Sequence, residues 1–307
     1  MIVALAGGIG AARFLEGLVR VIPQNQVTII GNVGDDIEIH GLHISPDLDI
    51  VLYTLAGVVD STKGWGFQRD TFECQNLLRQ YGCETWFNLG DRDLATHIYR
   101  TNQLYEGKTL SEVTQDLVQR FGLEIRLLPA TNTHLQTHVA TDRGRMHFEE
   151  YMVKRRTTPK VHRVTFEGAS SAKPANLVTQ SIKKANGIIV SPSNPIVSIG
   201  AILAVRGIKS ALQKTKAKVV GISPIVGGRT LKGPADKLMR ALGLKSTAVG
   251  VAEYYRDFMD TLIIDRVDKE HTKEIERLGI KPVVANTIMR KKADKIRLAR
   301  VAVRELQ

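Results

Sequence analysis

The chain has 307 residues, of which 43% are hydrophobic and 24% charged, and its formal net charge is +12. This composition excludes a disordered, fibrous or disulfide-rich protein, and the length predicts one large α/β domain or two unequal lobes. We expect the two cysteines, Cys74 and Cys83, to be buried small side chains in a reducing cytoplasm. No apolar run reaches the ~20 residues that span a bilayer. We therefore expect a cytoplasmic protein without a membrane partner.

Apolar runs and helical patterns alternate from the N-terminus onwards. Residues 1–6 form an apolar run that is followed by a glycine turn, a helical pattern to about residue 21, and a second apolar run at 27–30. Short continuous apolar runs are typical of buried parallel strands. Similar runs follow at 187–190, 219–222 and 261–265. The chain thus predicts a Rossmann-like α/β fold with an open, mostly parallel sheet.

The middle of the chain has a different pattern. Residues 110–121 resemble a helix, and 127–153 show extended segments around the turn signal Asp142-Arg143-Gly144. We predict that 105–172 form an inserted lobe of one helix and antiparallel strands. This lobe would interrupt a nucleotide-binding core made of 1–104 and 173–307.

Charge is distributed unevenly along the sequence. No lysine or arginine lies between Arg20 and Lys63, and this gap holds six carboxylates: Asp35, Asp36, Glu38, Asp47, Asp49 and Asp60. Mg²⁺ prefers oxygen ligands, usually one or two carboxylates together with substrate phosphates. The gap therefore predicts a cation site, although an acidic loop facing solvent would give the same pattern.

Basic residues concentrate in 214–240 and in the C-terminal segment 288–307. A basic chain favours anionic partners. Only 6% of the residues are aromatic, and neither a zinc finger nor an RNA-binding sheet motif is present. We therefore expect phosphorylated small molecules as partners and no nucleic acid.

The first predicted strand ends in a glycine turn, in which Gly7, Gly8 and Gly10 would let backbone N–H groups approach a ligand at a helix N-terminus. Arg13 occupies the third glycine position of the dinucleotide fingerprint, and no Walker A lysine follows. A tight structural turn would give the same sequence.

Two later predicted strands each run into a Ser-Pro loop, at 191–195 and at 223–229. Ligands of open parallel sheets bind beyond the carboxyl ends of the strands, so these loops could form opposite walls of one crevice. A helix predicted at 235–242 begins with Gly233-Pro234, and Arg229 and Lys232 precede it, an arrangement that suits phosphate. A pair of structural turns is the alternative.

The densest polar cluster is 86–97, WFNLGDRDLATH. Its acidic residues could be a helix N-terminus, with Asp91 as the cap and Asp93 in the first turn. In a functional interpretation, Arg92 and His97 bind phosphate while Trp86 and Asn88 contact a flat polar ring. No nucleophile elbow, Cys-His pair or His-rich metal site is present, so the chemistry indicated is substrate alignment by a metal and basic groups, as in phosphoryl transfer.

Several of these segments resemble the 2-phospho-L-lactate transferase family, and the resemblance runs nearly from end to end. The matching motifs are AGGIGAARFL at 6–15, NVGDD at 32–36, SPDLD at 45–49, WFNLGDRDLATH at 86–97, HFEEY at 147–151, SPSNPIVSIGAIL at 191–203 and SPIVGG at 223–228. The resemblance implies an enzyme of coenzyme F420 biosynthesis. Such an enzyme transfers a phospho-organic acid, 2-phospho-L-lactate or a relative such as phosphoenolpyruvate, from a guanosine diphospho-ester to the ribityl hydroxyl of the deazaflavin Fo. GMP leaves, Mg²⁺ is required, and the enzyme is typically a homodimer.

The resemblance also implies roles for individual residues. Asp49 and Asn88 would contact the deazaflavin, with Trp86, Asp91 and Arg92 beside them. Asp35, Asp36 and Asp49 would surround the metal, and Asp35 and Asp49 would be catalytic. The guanosine nucleotide would be held by Gly7, Gly8, Gly10, Ser191, Ser193, Asn194, Ser223, Gly227, Gly228 and Arg229.

Two other functions remain open at this point. A non-enzymatic regulator of the same fold would bind a nucleotide sugar, but the SPDLD and GDRDLATH motifs favour the transferases. An NAD-dependent dehydrogenase would need an intact glycine fingerprint, which fails at Arg13, although Asp35 lies close to where its acidic residue would be expected.

Overall fold

The computed structural model describes residues 1–307. Its strands are β1 (Ile2–Ala6), β2 (Val27–Gly31), β3 (Ile37–Ile39), β4 (Leu42–Ile44), β5 (Arg126–Pro129), β6 (Gln136–Thr141), β7 (Gly144–His147), β8 (Val161–Glu167), β9 (Gly187–Val190), β10 (Lys218–Ile222), β11 (Ile225–Val226), β12 (Arg229–Thr230), β13 (Thr261–Asp265) and β14 (Lys281–Ala285). Its α-helices are α1 (Gly8–Leu18), α2 (Pro46–Leu55), α3 (Glu73–Gln80), α4 (Asp91–Tyr105), α5 (Leu110–Arg120), α6 (Val178–Lys184), α7 (Gly200–Ala204), α8 (Ile208–Lys214), α9 (Ala235–Ala241), α10 (Ala248–Tyr255), α11 (Thr272–Arg277) and α12 (Lys292–Glu305). Short 3₁₀ turns lie at Gln24–Gln26 and Arg266–His271, and π-type turns at Glu150–Lys154 and Pro195–Ile199.

Seven strands form one parallel sheet in the order β14-β13-β10-β9-β1-β2-β5. From β1 the chain builds outwards through β2 and β5, then returns to β9 on the other side of β1 and continues outwards to β14. Strand order therefore reverses between β1 and β9, and the carboxyl ends of these two strands mark the crevice where such sheets bind ligands. This confirms the predicted α/β fold with a mostly parallel sheet.

The central strands are short runs of aliphatic residues with both faces covered by helices. Every residue of β2 and β9 is buried, and only Ile2 of β1 is partly exposed. The strands predicted at 187–190 and 261–265 are present with those bounds, and the others end within one residue of their predicted ends. Strand β14 was not predicted, because its edge position leaves it half-exposed and Pro282 interrupts its apolar pattern.

Part of the predicted inserted lobe belongs to the seven-stranded parallel sheet. Strand β5 pairs parallel to β2, with Leu127 opposite Ile29, and α5 packs against it. The antiparallel part is the three-stranded sheet β7-β6-β8, whose hairpin turn includes Asp142 and Arg143 as expected. One face of this sheet, including Val139 and Met146, joins the single hydrophobic core. The middle segment is therefore attached closely to the parallel sheet.

The C-terminal helix α12 packs along α1, where Gly17 permits contact: a Cβ at this position would lie 2.3 Å from the carbonyl oxygen of Lys295. Cys74 and Cys83 are both exposed, so the prediction that they are buried is wrong. Cys74 lies in α3, a surface helix that buries only Gln75, and Cys83 lies in the exposed segment that follows this helix. No single helix is long and apolar enough to cross a membrane, although two consecutive helical segments, Pro195–Ala204 and Ile208–Lys214, bent by 88°, would together satisfy length and composition.

Candidate active site

A cavity of about 600 Å³ opens where the strand order reverses. Its walls come from the loops after β1, β2, β9, β10 and β14, from the first turn of α2, and from α4. Further wall segments are 63–66, 87–88 and 148–153. The sheet topology thus gathers segments from most of the chain into one site.

The glycine turn forms the floor of this cavity. Gly8 has a positive φ of +74°, a conformation that favours glycine, and a Cβ on Gly10 would lie 2.3 Å from the carbonyl oxygen of Pro192. The N–H of Gly7 donates to Ser193 Oγ at 3.2 Å. The loops after β1 and β9 are therefore in direct contact, and Gly7, Gly8, Gly10, Ser193 and Asn194 all line the cavity. Their predicted role in nucleotide binding stays a prediction.

Three carboxyl groups line the cavity beside the glycine turn and influence one another electrostatically: those of Asp35, Asp47 and Glu149. Asn32 links the first two, because its Nδ2 donates to Asp35 Oδ2 at 3.1 Å and to Asp47 Oδ2 at 2.8 Å. The N–H of Gly8 also donates to the Asp47 carboxylate. Asp35 Oδ1 is buried without a hydrogen-bond partner. These three groups are called the carboxylate cluster below.

Burial and mutual repulsion make the carboxylate cluster hard to ionise. Burial raises the pKa of Asp47 from 3.8 to about 6, against the lowering effect of its hydrogen bonds to Asn32 and Gly8. Burial and then the charge of Asp47 raise the pKa of Glu149 from 4.5 to about 8. Burial, Asp47 and Glu149 together raise the pKa of Asp35 well above its ordinary value. A cluster of this kind requires bound protons or a cation.

Asp36, which the sequence grouped with Asp35, lies outside the cavity lining. Its Oδ2 accepts from Ser45 Oγ at 2.8 Å and lies 3.0 Å from Nε2 of His43. Burial raises the pKa of Asp36, and the hydrogen bond and charge of His43 lower it. Oδ2 of Asp36 is thus occupied by contacts with its own hairpin, whereas Oδ1 is buried without a hydrogen-bond partner, as is Oδ1 of Asp35.

Asp49 lies on the opposite side of α2 from Asp47, since residues two apart in a helix do not share a face. Both of its oxygens accept from the guanidinium of Arg100, at 3.0 Å for Oδ2, with a second close contact at Oδ1. The ring nitrogens of His97 lie 3.7 Å from Asp49 Oδ2 and 3.2 Å from Asp93 Oδ1. Tyr53 donates its hydroxyl to Asp93 Oδ1 at 2.7 Å. We call these five residues the Asp49 network; all but Arg100 line the cavity.

Only some of the residues predicted to bind the deazaflavin line the cavity. Asn88 lines the cavity, as does its neighbour Phe87, whereas Trp86, Asp91 and Arg92 do not. Asp91 accepts from the N–H groups of residues 73 and 74, so it caps α3 rather than its own helix, and Asp70 caps α4 instead. Trp86 packs edge-on against Phe87.

Only part of the loop after β10 lines the cavity. Ser223 and residues 230–235 line the cavity, whereas Gly227, Gly228 and Arg229 do not. Gly227 donates its N–H to Asp268 at 3.0 Å, which directs this part of the loop towards 266–271. Ser191 is buried, but it also lies outside the cavity lining. The basic side chains that do line the cavity are Arg13, Lys63 and Lys232.

Comparison with known proteins identifies the family. A model of the family described as 2-phospho-L-lactate transferase CofD matches residues 2–304. The phosphoenolpyruvate transferase of Streptomyces griseus is 46% identical over 286 residues, covering 91% of this chain and 90% of that protein. The 2-phospho-L-lactate transferase of Methanosarcina acetivorans is 38% identical, covering 94% of this chain and 93% of that protein. The chain belongs to the 2-phospho-L-lactate transferase CofD family.

Membership of the CofD family confirms the resemblance seen in the sequence and the predicted class of enzyme, a transferase of phosphate-containing groups in coenzyme F420 biosynthesis. The dehydrogenase alternative is therefore wrong. A crystal structure of a UPF0052-family protein from Bacillus halodurans has the same fold, with a TM-score of 0.68 at 17% identity and 98% coverage of both chains.

Sequence reasoning missed several residues of this CofD-family site. Glu149 was part of the HFEEY motif, and Asp47 was part of both the acidic gap and the SPDLD motif, but neither was assigned a role. Tyr53 and Thr287 also line the cavity, and the sequence indicated neither of them. For Glu149 a signal existed, because a paired Glu beside aromatic residues was already among the unusual motifs.

Proposed function

We propose that the protein transfers a phospho-organic acid, 2-phospho-L-lactate or phosphoenolpyruvate, from its guanosine diphosphate ester to the ribityl hydroxyl of Fo. The main observation behind this proposal is that the carboxylate cluster and the Asp49 network both contribute to one cavity. This cavity lies at the point where the strand order reverses. The names of the related proteins agree with both donors.

The glycine turn and the loop after β9 suit the nucleotide donor. Ser193 and Ser198 offer hydroxyl groups beside the N-terminus of α1, and Lys232 adds positive charge at the cavity wall. Backbone N–H groups at a helix N-terminus favour phosphate. The donor's pyrophosphate would therefore lie against this floor, and its guanosine would extend towards the loop after β10.

The carboxylate cluster fits a magnesium ion, because Asp35 has an unpartnered buried oxygen and its neighbours repel one another. No group of three or more His, Cys, Asp or Glu side chains lies close enough to hold a metal ion by itself. Mg²⁺ usually takes one or two carboxylates together with water and substrate phosphates, so the proposal assigns part of its shell to the donor. Asp35 and Asp47, with Glu149 beside them, would hold the ion, and it would neutralise charge on the donor's pyrophosphate. In this proposal Asp47 and Glu149 would be the metal's neighbours in place of Asp36 and Asp49, which the resemblance implied.

The Asp49 network suits the acceptor. Asp49, Asn88 and the aromatic side chains of Tyr53, Trp65 and Phe87 line one cavity, which offers polar and flat apolar contacts to a deazaflavin with its ribityl chain. We propose that the ribityl hydroxyl donates to Asp49. The oxygen of the ribityl hydroxyl bonds to the phosphorus that carries the organic acid. At the same time the bond breaks between that phosphorus and the oxygen that bridges the two phosphorus atoms of the donor. GMP leaves with the electron pair, and Asp49 receives the hydroxyl proton, as an aspartate does in kinases.

The test is a transfer reaction with each candidate donor. Purified protein is incubated with Fo, Mg²⁺ and the guanosine diphosphate ester of phospholactate, phosphoenolpyruvate or phosphoglycerate, and GMP and the product mass are measured. We expect stoichiometric GMP and the coupled deazaflavin with one of the three donors. Nucleotide binding without any turnover would favour the non-enzymatic regulator instead.

We further propose that the enzyme acts in the cytoplasm as a homodimer. Large apolar side chains are exposed on α3 and α4, among them Leu77 and Ile98, and a second copy could cover them. Light scattering after gel filtration tests this, and a mass of 33.9 kDa at assay concentration would contradict it.

A further inference from the structure

Arg100 is a fully charged side chain in the interior of the protein. It is 1% exposed, and it lies behind the cavity wall rather than in the lining. Burial of a guanidinium is strongly unfavourable unless the charge is paired and hydrogen-bonded. The partner of Arg100 is Asp49, the residue to which the proposed function assigns the acceptor hydroxyl.

The contacts of Arg100 fix the orientation of the Asp49 carboxylate. Its two terminal nitrogens each bond one carboxylate oxygen, so the pair has the planar two-point geometry that only arginine offers. Nη1 also lies 3.4 Å from the carbonyl oxygen of His43 and 3.3 Å from Nδ1 of His97. The guanidinium is therefore held on several sides by its own helix and by β4, and it transmits this rigidity to Asp49.

We propose that Arg100 is a positioning residue of the transfer reaction, which holds the Asp49 carboxylate in the orientation that receives the acceptor hydroxyl without touching the substrate itself. This inference rests on the proposed function. Each oxygen of a carboxylate has two acceptor sites, so the bond to Arg100 leaves Asp49 free to accept from the ribityl hydroxyl.

The conservative variant Arg100→Lys separates charge from geometry, because lysine keeps the positive charge and lacks the planar fork. A small misplacement of a reacting group can cost about 100-fold in rate. We expect Arg100→Lys to lower kcat by about 30-fold while the KM for the nucleotide donor changes by less than about twofold. Arg120→Lys is the matched control, since Arg120 pairs with Asp116 on the exposed surface of α5. It should leave both constants unchanged.

A double-mutant cycle tests whether Arg100 acts through Asp49. Wild type, Asp49→Asn, Arg100→Lys and the double variant are compared for GMP release with Fo, and thermal unfolding confirms that each is folded. We expect the double variant to be within about threefold of Asp49→Asn alone. Losses that multiply, or an Arg100→Lys variant with wild-type kcat, would overturn the positioning role.

If Arg100→Lys does not fold, the neutral pair of Asp49→Asn with Arg100→Gln replaces it and is compared with Asp49→Asn alone, under the same threefold criterion. A wild-type protein that releases no GMP contradicts the proposed function and the positioning role together. Wild-type turnover combined with multiplying losses contradicts only the role of Arg100.

Discussion

Replacement of Asp47 by asparagine should stabilise the protein at neutral pH in the absence of metal. Burial raises the pKa of Asp47 from 3.8 to about 6, so the folded state binds the carboxyl proton more tightly than the unfolded state does. Stability therefore falls as the pH rises from about 4 to about 6, and above that range the ionised carboxyl costs about 3 kcal/mol, at about 1.4 kcal/mol for each pH unit. Asp47→Asn removes this cost and keeps an oxygen acceptor for Asn32.

The assay is thermal unfolding in EDTA at pH 7.5 and at pH 4. For a chain of this size, about 3 kcal/mol corresponds to a rise of roughly 5 °C in the midpoint. We expect Asp47→Asn to gain up to this amount at pH 7.5 and almost nothing at pH 4. Asp257→Asn is the control, because Asp257 is an exposed partner of Lys209 and its pKa is lowered. An Asp47→Asn variant that is less stable than wild type at pH 7.5 would refute the reasoning.

The remaining predictions concern turnover, binding and the glycine turn. Asp49→Asn should lower turnover at least ~100-fold. Extra Mg²⁺ should not restore it, since the positive charge of Arg100 beside this carboxylate disfavours a second cation there; recovery at high Mg²⁺ in steady-state assays would instead make Asp49 a metal ligand. Lys232→Ala should weaken GDP binding in calorimetry about tenfold, which corresponds to about 1.4 kcal/mol for one phosphate contact. Arg229→Ala should weaken GDP binding much less, because Arg229 lies outside the cavity. Equal losses for the two variants would contradict this placement. Excess EDTA should abolish GMP release, and full activity in EDTA would exclude a metal. Gly10→Ala should destabilise the fold by about 1–3 kcal/mol in urea unfolding, because the added Cβ would meet the backbone oxygen of Pro192. An unchanged unfolding midpoint would show that the glycine turn can relax.

Much of the fold could be predicted from local pattern, because buried parallel strands are continuous apolar runs bounded by turn residues. The strands at 187–190 and 261–265 and the helix from Leu110 are examples. Strand β5 was placed in the wrong layer because its four residues pair with β2 across about 100 residues of sequence, and nothing local distinguishes that partner from an antiparallel neighbour. Long-range pairing is decided by packing.

In the candidate site, too, local pattern indicated some residues, and long-range packing decided the positions of others. The glycine turn, Ser193, Asn194 and Asp35 were candidate site residues and line the cavity, because each lies in the loop after a strand whose carboxyl end faces the crevice. Glu149 could not be placed from the sequence, since it reaches the cavity only after β6 and β7 fold back. The alternative in which Asp91 caps its own helix is wrong: Asp91 caps α3 and Asp70 caps α4. This exchange depends on how the two helices pack against each other, which no local pattern shows.

A crystal structure of the protein with Fo, GDP and Mg²⁺ would test the proposed function. We expect the ribityl hydroxyl of Fo to lie within hydrogen-bond distance of the Asp49 carboxylate. We also expect the diphosphate to lie against Gly7–Gly10, with the ion between it and the carboxylate cluster. A deazaflavin bound outside this cavity, or a diphosphate held by the Gly227–Arg229 segment away from the cluster, would contradict the proposed function.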